Sequence, residues 1–249
     1  MILYFSATGN SAYVAKQLAE DGERLIFIPD AIDQGNYEFT VEPSEKVGII
    51  SPTYNWTIPS IVEEYLQKLK LHYAEKPYVY YVGTFGTTTG AAAAMANRYM
   101  CAKGLTFDGL FDVKMPDTWT PIFDLSDKER VREINRQADR QISQLKEDIR
   151  RETVGKHMHL PTPYFTGVLG KKIYDGSTRR TAHLIVEDSC IGCGLCAGKC
   201  PVHAIEIRNK RPEWIKERCA MCLGCLHRCP KFAIQYGKST KKHGQYRHD

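Results

Sequence analysis

The 249-residue sequence has no apolar run that approaches the ~18 residues of a membrane span, so no spanning segment is expected. It also lacks a basic, then apolar leader. Met1 opens directly into the run MILYF, which argues against a signal or transit peptide and for a cytoplasmic location. No nicotinamide fingerprint is present, and the polar loop that follows the first apolar run lacks the G-K-[ST] of a nucleotide phosphate loop. Cysteine is scarce outside one stretch: eight of nine lie between residues 190 and 229. The remaining one, Cys101, is expected as a core thiol at a helix end. With 43% hydrophobic and 25% charged residues, composition is that of a folded water-exposed chain rather than a disordered one.

What is there is concentrated near the end. Residues 190–201 read C-I-G-C-G-L-C-A-G-K-C-P and residues 219–230 read C-A-M-C-L-G-C-L-H-R-C-P. Both follow C-x2-C-x2-C-x3-C-P, the run that holds [4Fe–4S] cubanes in two-cluster ferredoxins. Three thiolates then come from one tight loop, with Gly192, Gly194 and Gly224 expected to permit its unusual dihedrals. The fourth cysteine of each run ligates the other cluster. Cluster one is therefore expected on Cys190, Cys193, Cys196 and Cys229, and cluster two on Cys219, Cys222, Cys225 and Cys200. A zinc ribbon uses two pairs rather than eight thiols in two runs, and a disulfide framework needs an oxidising compartment; both remain as alternatives. Ala204-Ile205 and Ala233-Ile234 occupy equivalent positions, so the unit is an internal duplication. Residues 183–237 resemble clostridial-type ferredoxins.

Charge divides the chain. The net formal charge of +5 is the sum of −5 over residues 1–152, +4 over 153–182 and +6 over 183–249. Each oxidised cubane with four thiolates adds about −2. The split suits either contact between the two halves or docking of an acidic redox partner. Residues 238–249 form a basic tail with no recognition fold or aromatic platform beside it, so nucleic acid is not an expected partner.

Upstream, short apolar runs alternate with helical periodicity. Strands are expected at residues 1–5, 24–28, 46–51, 77–83 and 107–114, and helices end near Glu20, Leu69, Cys101 and Glu152. The last helix carries Ile134, Ile142, Leu145 and Ile149 on one face. Such alternation implies a parallel sheet, with ligands beyond the carboxyl ends of its strands. Three polar loops fall there: S-A-T-G-N-S after the first strand, P-T-Y-N-W after the third and T-F-G-T-T-T-G after the fourth. The first places hydroxyls and amides at a helix N-terminus, which suits one terminal phosphate without a lysine; a plain capped turn is the alternative.

These loops resemble those of flavodoxins, which bind FMN. The resemblance implies a five-stranded doubly wound sheet, with Ser6, Thr8, Gly9, Asn10 and Ser11 on the phosphate. It implies Thr53, Tyr54, Asn55 and Trp56 on one side of the flavin ring, and Thr84, Phe85 and Gly86 on the other. The chain departs in offering Phe85 where many flavodoxins place a tyrosine. Trp119 is expected in loop or core packing more than as a ring wall. Residues 153–182 are expected as an interdomain connection, and their histidines, with His183, are assigned no metal. The whole resembles flavodoxin–ferredoxin fusion proteins. That likeness implies an electron carrier with FMN and two [4Fe–4S] clusters exchanging electrons with an iron–sulfur partner. A flavin reductase fed by the clusters, an iron–sulfur redox sensor and a flavodoxin-like fold without flavin are the alternatives.

Overall fold

The computed structural model describes residues 1–159 and 161–248. The first part runs β1 (Ile2–Tyr4), α1 (Asn10–Leu18), β2 (Leu25–Phe27), α2 (Ile28–Asp33), β3 (Glu38–Val41), β4 (Val47–Pro52), α3 (Ser60–Lys68), β5 (Lys70–Tyr73), β6 (Val79–Phe85), α4 (Ala92–Cys101), β7 (Gly109–Lys114) and α5 (Lys128–Arg150). It continues through β8 (Gly155–His157) and α6 (Tyr164–Ile173). Then come β9 (Leu184–Val186), α7 (Leu195–Gly198), β10 (Ile205–Arg208), β11 (Arg211–Trp214), α8 (Gly224–Arg228), β12 (Ile234–Tyr236) and α9 (Thr240–His243).

The main sheet has the order β2-β1-β4-β6-β7-β8, with every neighbouring pair parallel. Alternation along β6 explains why it is covered on both faces. Val79 and Tyr81 enter one core with Leu3, Ile49 and residues of α3 and α4; Tyr80 and Val82 enter the other with Val14, Ile142 and Leu145 of α1 and α5. α5 is capped by the Asp127 carboxylate, which accepts from the Arg130 amide at 3.0 Å. Its buried stripe is Val131, Ala138, Ile142, Leu145 and Ile149, while the expected Ile134 is only half-buried.

The doubly wound α/β fold matches expectation, but the sheet gains a sixth strand. β8 pairs with β7 from within the expected connection. Its sequence, GKH, is half-buried to exposed and has no apolar alternation, so edge pairing rather than burial forms it. A separate parallel pair, β3 with β5, was also not expected. The rest of the connection is ordered too: α6 buries Gly167 and Gly170, and Tyr174 is fully buried. Cys101 is exposed rather than in the core, with its sulfur 3.5 Å from the Asn97 amide nitrogen.

The cysteine-rich part is built from two short antiparallel pairs, β9 with β12 and β10 with β11. Its small core, including Ala204, Met221, Leu223, Leu226 and Ile234, also packs Tyr54 and Trp119 of the first part. The tail after residue 237 is folded rather than loose: α9 forms, and Tyr246 is 7% exposed. Among the described residues no helix is long and apolar enough to cross a membrane.

Candidate functional site

One cavity of about 270 Å³ lies beyond the carboxyl ends of β1, β4, β6 and β7. It collects eleven of the twelve expected flavin-loop residues: Ser6, Thr8, Asn10 and Ser11 from the first loop; Thr53, Tyr54, Asn55 and Trp56 from the second; Thr84, Phe85 and Gly86 from the third. Gly9 is not on its wall but caps α1 in the left-handed conformation, φ 104°.

The first loop is tightly braced. The Gly9 amide donates to Ser6 Oγ at 3.2 Å, and the Ser11 and Thr84 hydroxyls share a bond of 2.8 Å. Asn10 donates to the Pro116 carbonyl at 3.1 Å and accepts from the Tyr246 hydroxyl at 2.9 Å. Its side chain therefore holds the loop, leaving its backbone amide for a ligand. The second loop holds Asn55 and Trp56 both at positive φ, 47° and 63°, a costly pair for residues with side chains. Two glycines make the clamp: a Cβ on Gly90 would collide with the Trp56 backbone, and one on Gly170 with the Asn55 carbonyl. At Gly86 an added Cβ would strike the Asp117 side chain, so the close approach there is to Asp117.

Four contributions were missed by sequence reasoning. Asp117, in the loop after β7, lines the cavity, beside Trp119, which the sequence offers only as a weaker candidate wall. Burial pushes the Asp117 carboxyl above its usual range, against hydrogen bonds from the Trp119 amide and Thr87. Tyr174 and Thr178 come from the connection, with Thr178 accepting from Asn55 at 3.2 Å. Met221 and Cys222 come from the second cysteine run. Finally, the tail reaches back. The His248 amide donates to the Thr8 carbonyl at 2.8 Å and its ring stacks on Tyr13 at 3.9 Å. The same segment grips α8, since Gln245 donates to the Leu226 and Cys229 carbonyls at 2.6 and 2.9 Å. His227, pushed down to about 4 by burial, accepts from the Tyr246 amide and donates to the Thr118 carbonyl. An aromatic lodged in a basic sequence was the only available signal for this.

The eight run cysteines fall into two groups of four. Cys190, Cys193, Cys196 and Cys229 surround one cavity; Cys200, Cys219, Cys222 and Cys225 surround another. Each group therefore takes three thiols from one run and the fourth from the other. Among the described residues no three His, Cys, Asp or Glu side chains converge on a point, as a single ion would need. The two halves repeat in detail: the Ala204 amide donates to Cys200 sulfur and the Ala233 amide to Cys229 sulfur, both at 3.3 Å. Gly192 and Gly194 adopt positive φ, but Gly224 does not; in the second run Met221 and Leu223 take the equivalent left-handed positions, φ 44° and 53°. Gly224 instead starts α8, where a Cβ would press on Arg228 and the Ala7 carbonyl. Burial pushes the Cys219 and Cys222 thiols up to about 11 and about 12, so ionising them requires a bound cation's charge.

The donor chemistry suits iron–sulfur clusters, and the polar first loop with the aromatic second suits a flavin phosphate and ring. The histidines of the connection have structural partners: His159 Nδ1 bonds Asp112 at 2.8 Å and His157 stacks on Phe111.

Comparison with known proteins agrees with this division. Residues 1–144 match a family described as a flavodoxin domain, and residues 183–206 match a 4Fe-4S binding domain. The chain is 35% identical over 63 residues to an uncharacterized polyferredoxin-like protein of Methanocaldococcus jannaschii, covering 20% of this chain and 38% of that protein. It is 37% identical over 51 residues to a component of an ion-translocating oxidoreductase complex of Methanosarcina acetivorans, covering 20% and 19%. It is 34% identical over 70 residues to a ferredoxin of Pyrobaculum islandicum, covering 26% and 65%. The chain thus spans less than two thirds of the length of each of these relatives.

Proposed function

The chain belongs to the flavodoxin domain family, and from that premise we propose that it is an electron-transfer protein joining two [4Fe–4S] clusters to FMN. The observation that carries this is Cys222, which lines both the second thiol cavity and the flavin-loop cavity. Cys222, with its neighbour Met221, is thus common to the walls of the two sites. Residues 1–152 and 183–237 act as the two redox units, and their fusion replaces a diffusional encounter with a fixed one.

Bound FMN exchanges one or two electrons, whereas each cluster exchanges one. The amides of Thr8, Asn10 and Ser11 and the Ser6, Thr8 and Ser11 hydroxyls would bind the phosphate, with Gly9, its amide given to Ser6 Oγ, shaping the turn and the α1 N-terminus adding its partial positive charge. Thr53, Tyr54, Asn55 and Trp56 on one side, with Thr84, Phe85 and Gly86 on the other, would fix the ring, and Trp119 lines the same cavity. The two groups of four cysteines would hold the clusters, each crossing between runs. Amides donating to Cys200, Cys219 and Cys229 sulfur stabilise thiolate charge and so bear on the potentials. The ferredoxin and oxidoreductase-complex relatives support a redox protein as the external partner.

A second reading, an FMN-dependent reductase of a small acceptor such as a quinone, draws on Asp117. A half-buried carboxyl with a raised pKa on the cavity wall is the kind of group that delivers protons. Anaerobic purification with iron, sulfide and flavin quantified together tests the primary reading. About eight irons and one FMN per chain are expected; iron without flavin, even after incubation with FMN, contradicts it.

A further inference from the structure

The two thiol cavities differ in what surrounds them. The group containing Cys222 is enclosed: Met221, Leu223 and Ala220 beside it are buried, and one wall belongs to the flavin-loop cavity. The group containing Cys193 faces outward. Cys193 is exposed, and three apolar side chains around it stay in solvent: Ile191 at 58%, Leu195 at 37% and Ile207 at 37% exposure. Lys231 lines this cavity, and the Lys210 backbone carbonyl and Cβ lie against Gly192 of the cysteine loop. Neither lysine has an ion-pair partner among the described residues, whereas the acids close by are engaged: Asp188 with Arg211 at 3.3 Å and Glu187 with Lys241 at 2.6 Å.

We propose that this outer face, centred on Ile191, Leu195 and Ile207 and rimmed by Lys210 and Lys231, is the docking port for an acidic, one-electron iron–sulfur protein. The inference rests on the electron-transfer reading and gives it a polarity: the port at the outer cluster, the flavin at the inner. An apolar centre with a charged rim is the pattern of a transient interface. Unpaired surface cations steer an acidic partner and set the encounter rate more than the affinity. In each encounter the partner's reduced cluster loses one electron and the outer cluster gains it. Two encounters supply the pair that reduces the flavin, with protons taken from solvent, and the reverse flow uses the same face.

A rival face exists. α6 turns its glycines inward and leaves Phe165 and Leu169 exposed at 68% and 56%, against the loop that carries Asn55 and Trp56. Lys171 and Arg179 on that side are paired with Glu63 and Asp175, while Arg98, Lys172 and Arg218 have no ion pair among the described residues; what sets the first face apart is the exposed Cys193 among its apolar side chains.

The test uses the full chain loaded with clusters and FMN, in stopped flow at low ionic strength. Two reductants are compared: a reduced acidic two-cluster ferredoxin, and a small neutral deazaflavin radical generated by light. Lys210→Glu/Lys231→Glu is expected to lower the second-order rate constant for the ferredoxin about tenfold or more, with unchanged iron content. The wild-type rate should fall with added salt and the variant's should not. The rate with the neutral reductant should stay the same in both. An unchanged ferredoxin rate in the double variant, or a loss produced instead by Phe165→Ser/Leu169→Ser, overturns the port. If the neutral reductant delivers no electrons to the wild-type flavin, the electron-transfer reading falls first, and the port with it.

Discussion

Tyr54 and Cys222 line the same cavity, one from the loop after β4 and the other from the second cysteine run. Burial, and then the charge of Cys222, hold the Tyr54 hydroxyl well above its ordinary pKa. The phenol therefore stays neutral at this junction, where the Arg228 guanidinium acts on it in the opposite sense to Cys222.

The crossing of the cysteine groups gives the first prediction. Cys200 belongs to the cavity of the second run. Cys200→Ala should therefore lose about half the bound iron, all of it from the second cluster, while the first keeps its spectrum. Electron paramagnetic resonance of the reduced variant, with iron analysis, decides this; loss of the first cluster alone would reverse the assignment.

The tail gives the second. Tyr246→Phe removes the hydroxyl shared by Asn10 and Asn135 and leaves the packing of the ring intact. A net hydrogen bond of ~1 kcal/mol corresponds to about fivefold weaker FMN binding. Riboflavin, which lacks the phosphate, should bind as well as before. Flavin fluorescence titration with both ligands checks this, and an equal loss for both would mean that Tyr246 serves only general folding.

Asp117 gives a pH dependence. Its folded-state pKa is raised, chiefly by burial. The protonated form is thus favoured in the fold, and the stability it contributes is present below the unfolded value of 3.8 and lost as pH rises through the folded value. Asp117→Asn keeps an acceptor for the Trp119 amide and removes that loss. Its melting temperature should exceed the wild type's at pH 7, with the gap closing as the pH falls below about 4. A constant gap across pH would contradict the assignment.

The Gly170 contact gives a fourth. Gly170→Val would force α6 away from the Asn55 carbonyl. It should cost about 1–3 kcal/mol, read by denaturant titration, and weaken FMN and riboflavin alike, unlike Tyr246→Phe. A variant with wild-type stability would show that the loop is not clamped there.

How much of this was legible depends on how local each signal is. The cysteine runs were, because spacing alone dictates a loop that can surround a cluster, and the thiols do gather in two groups of four. The three polar loops were, because each follows an apolar strand. β8 was not: three polar residues acquire strand character only by pairing with β7. Gly224 was misread because Met221 and Leu223 carry the positive φ that glycines carry in the first run. Asp117, Tyr174 and Tyr246 reach the site only through tertiary packing, and nothing in their neighbours in sequence marks them.

The proposed route passes electrons directly between the inner cluster and the flavin across Cys222. Flash reduction of the loaded chain, followed at the flavin and cluster absorbances, measures it. Flavin reduction should follow cluster reduction with a first-order rate that does not change with protein concentration. A rate that rises in proportion to concentration would mean that the electrons cross between molecules, and would rule out passage within the chain.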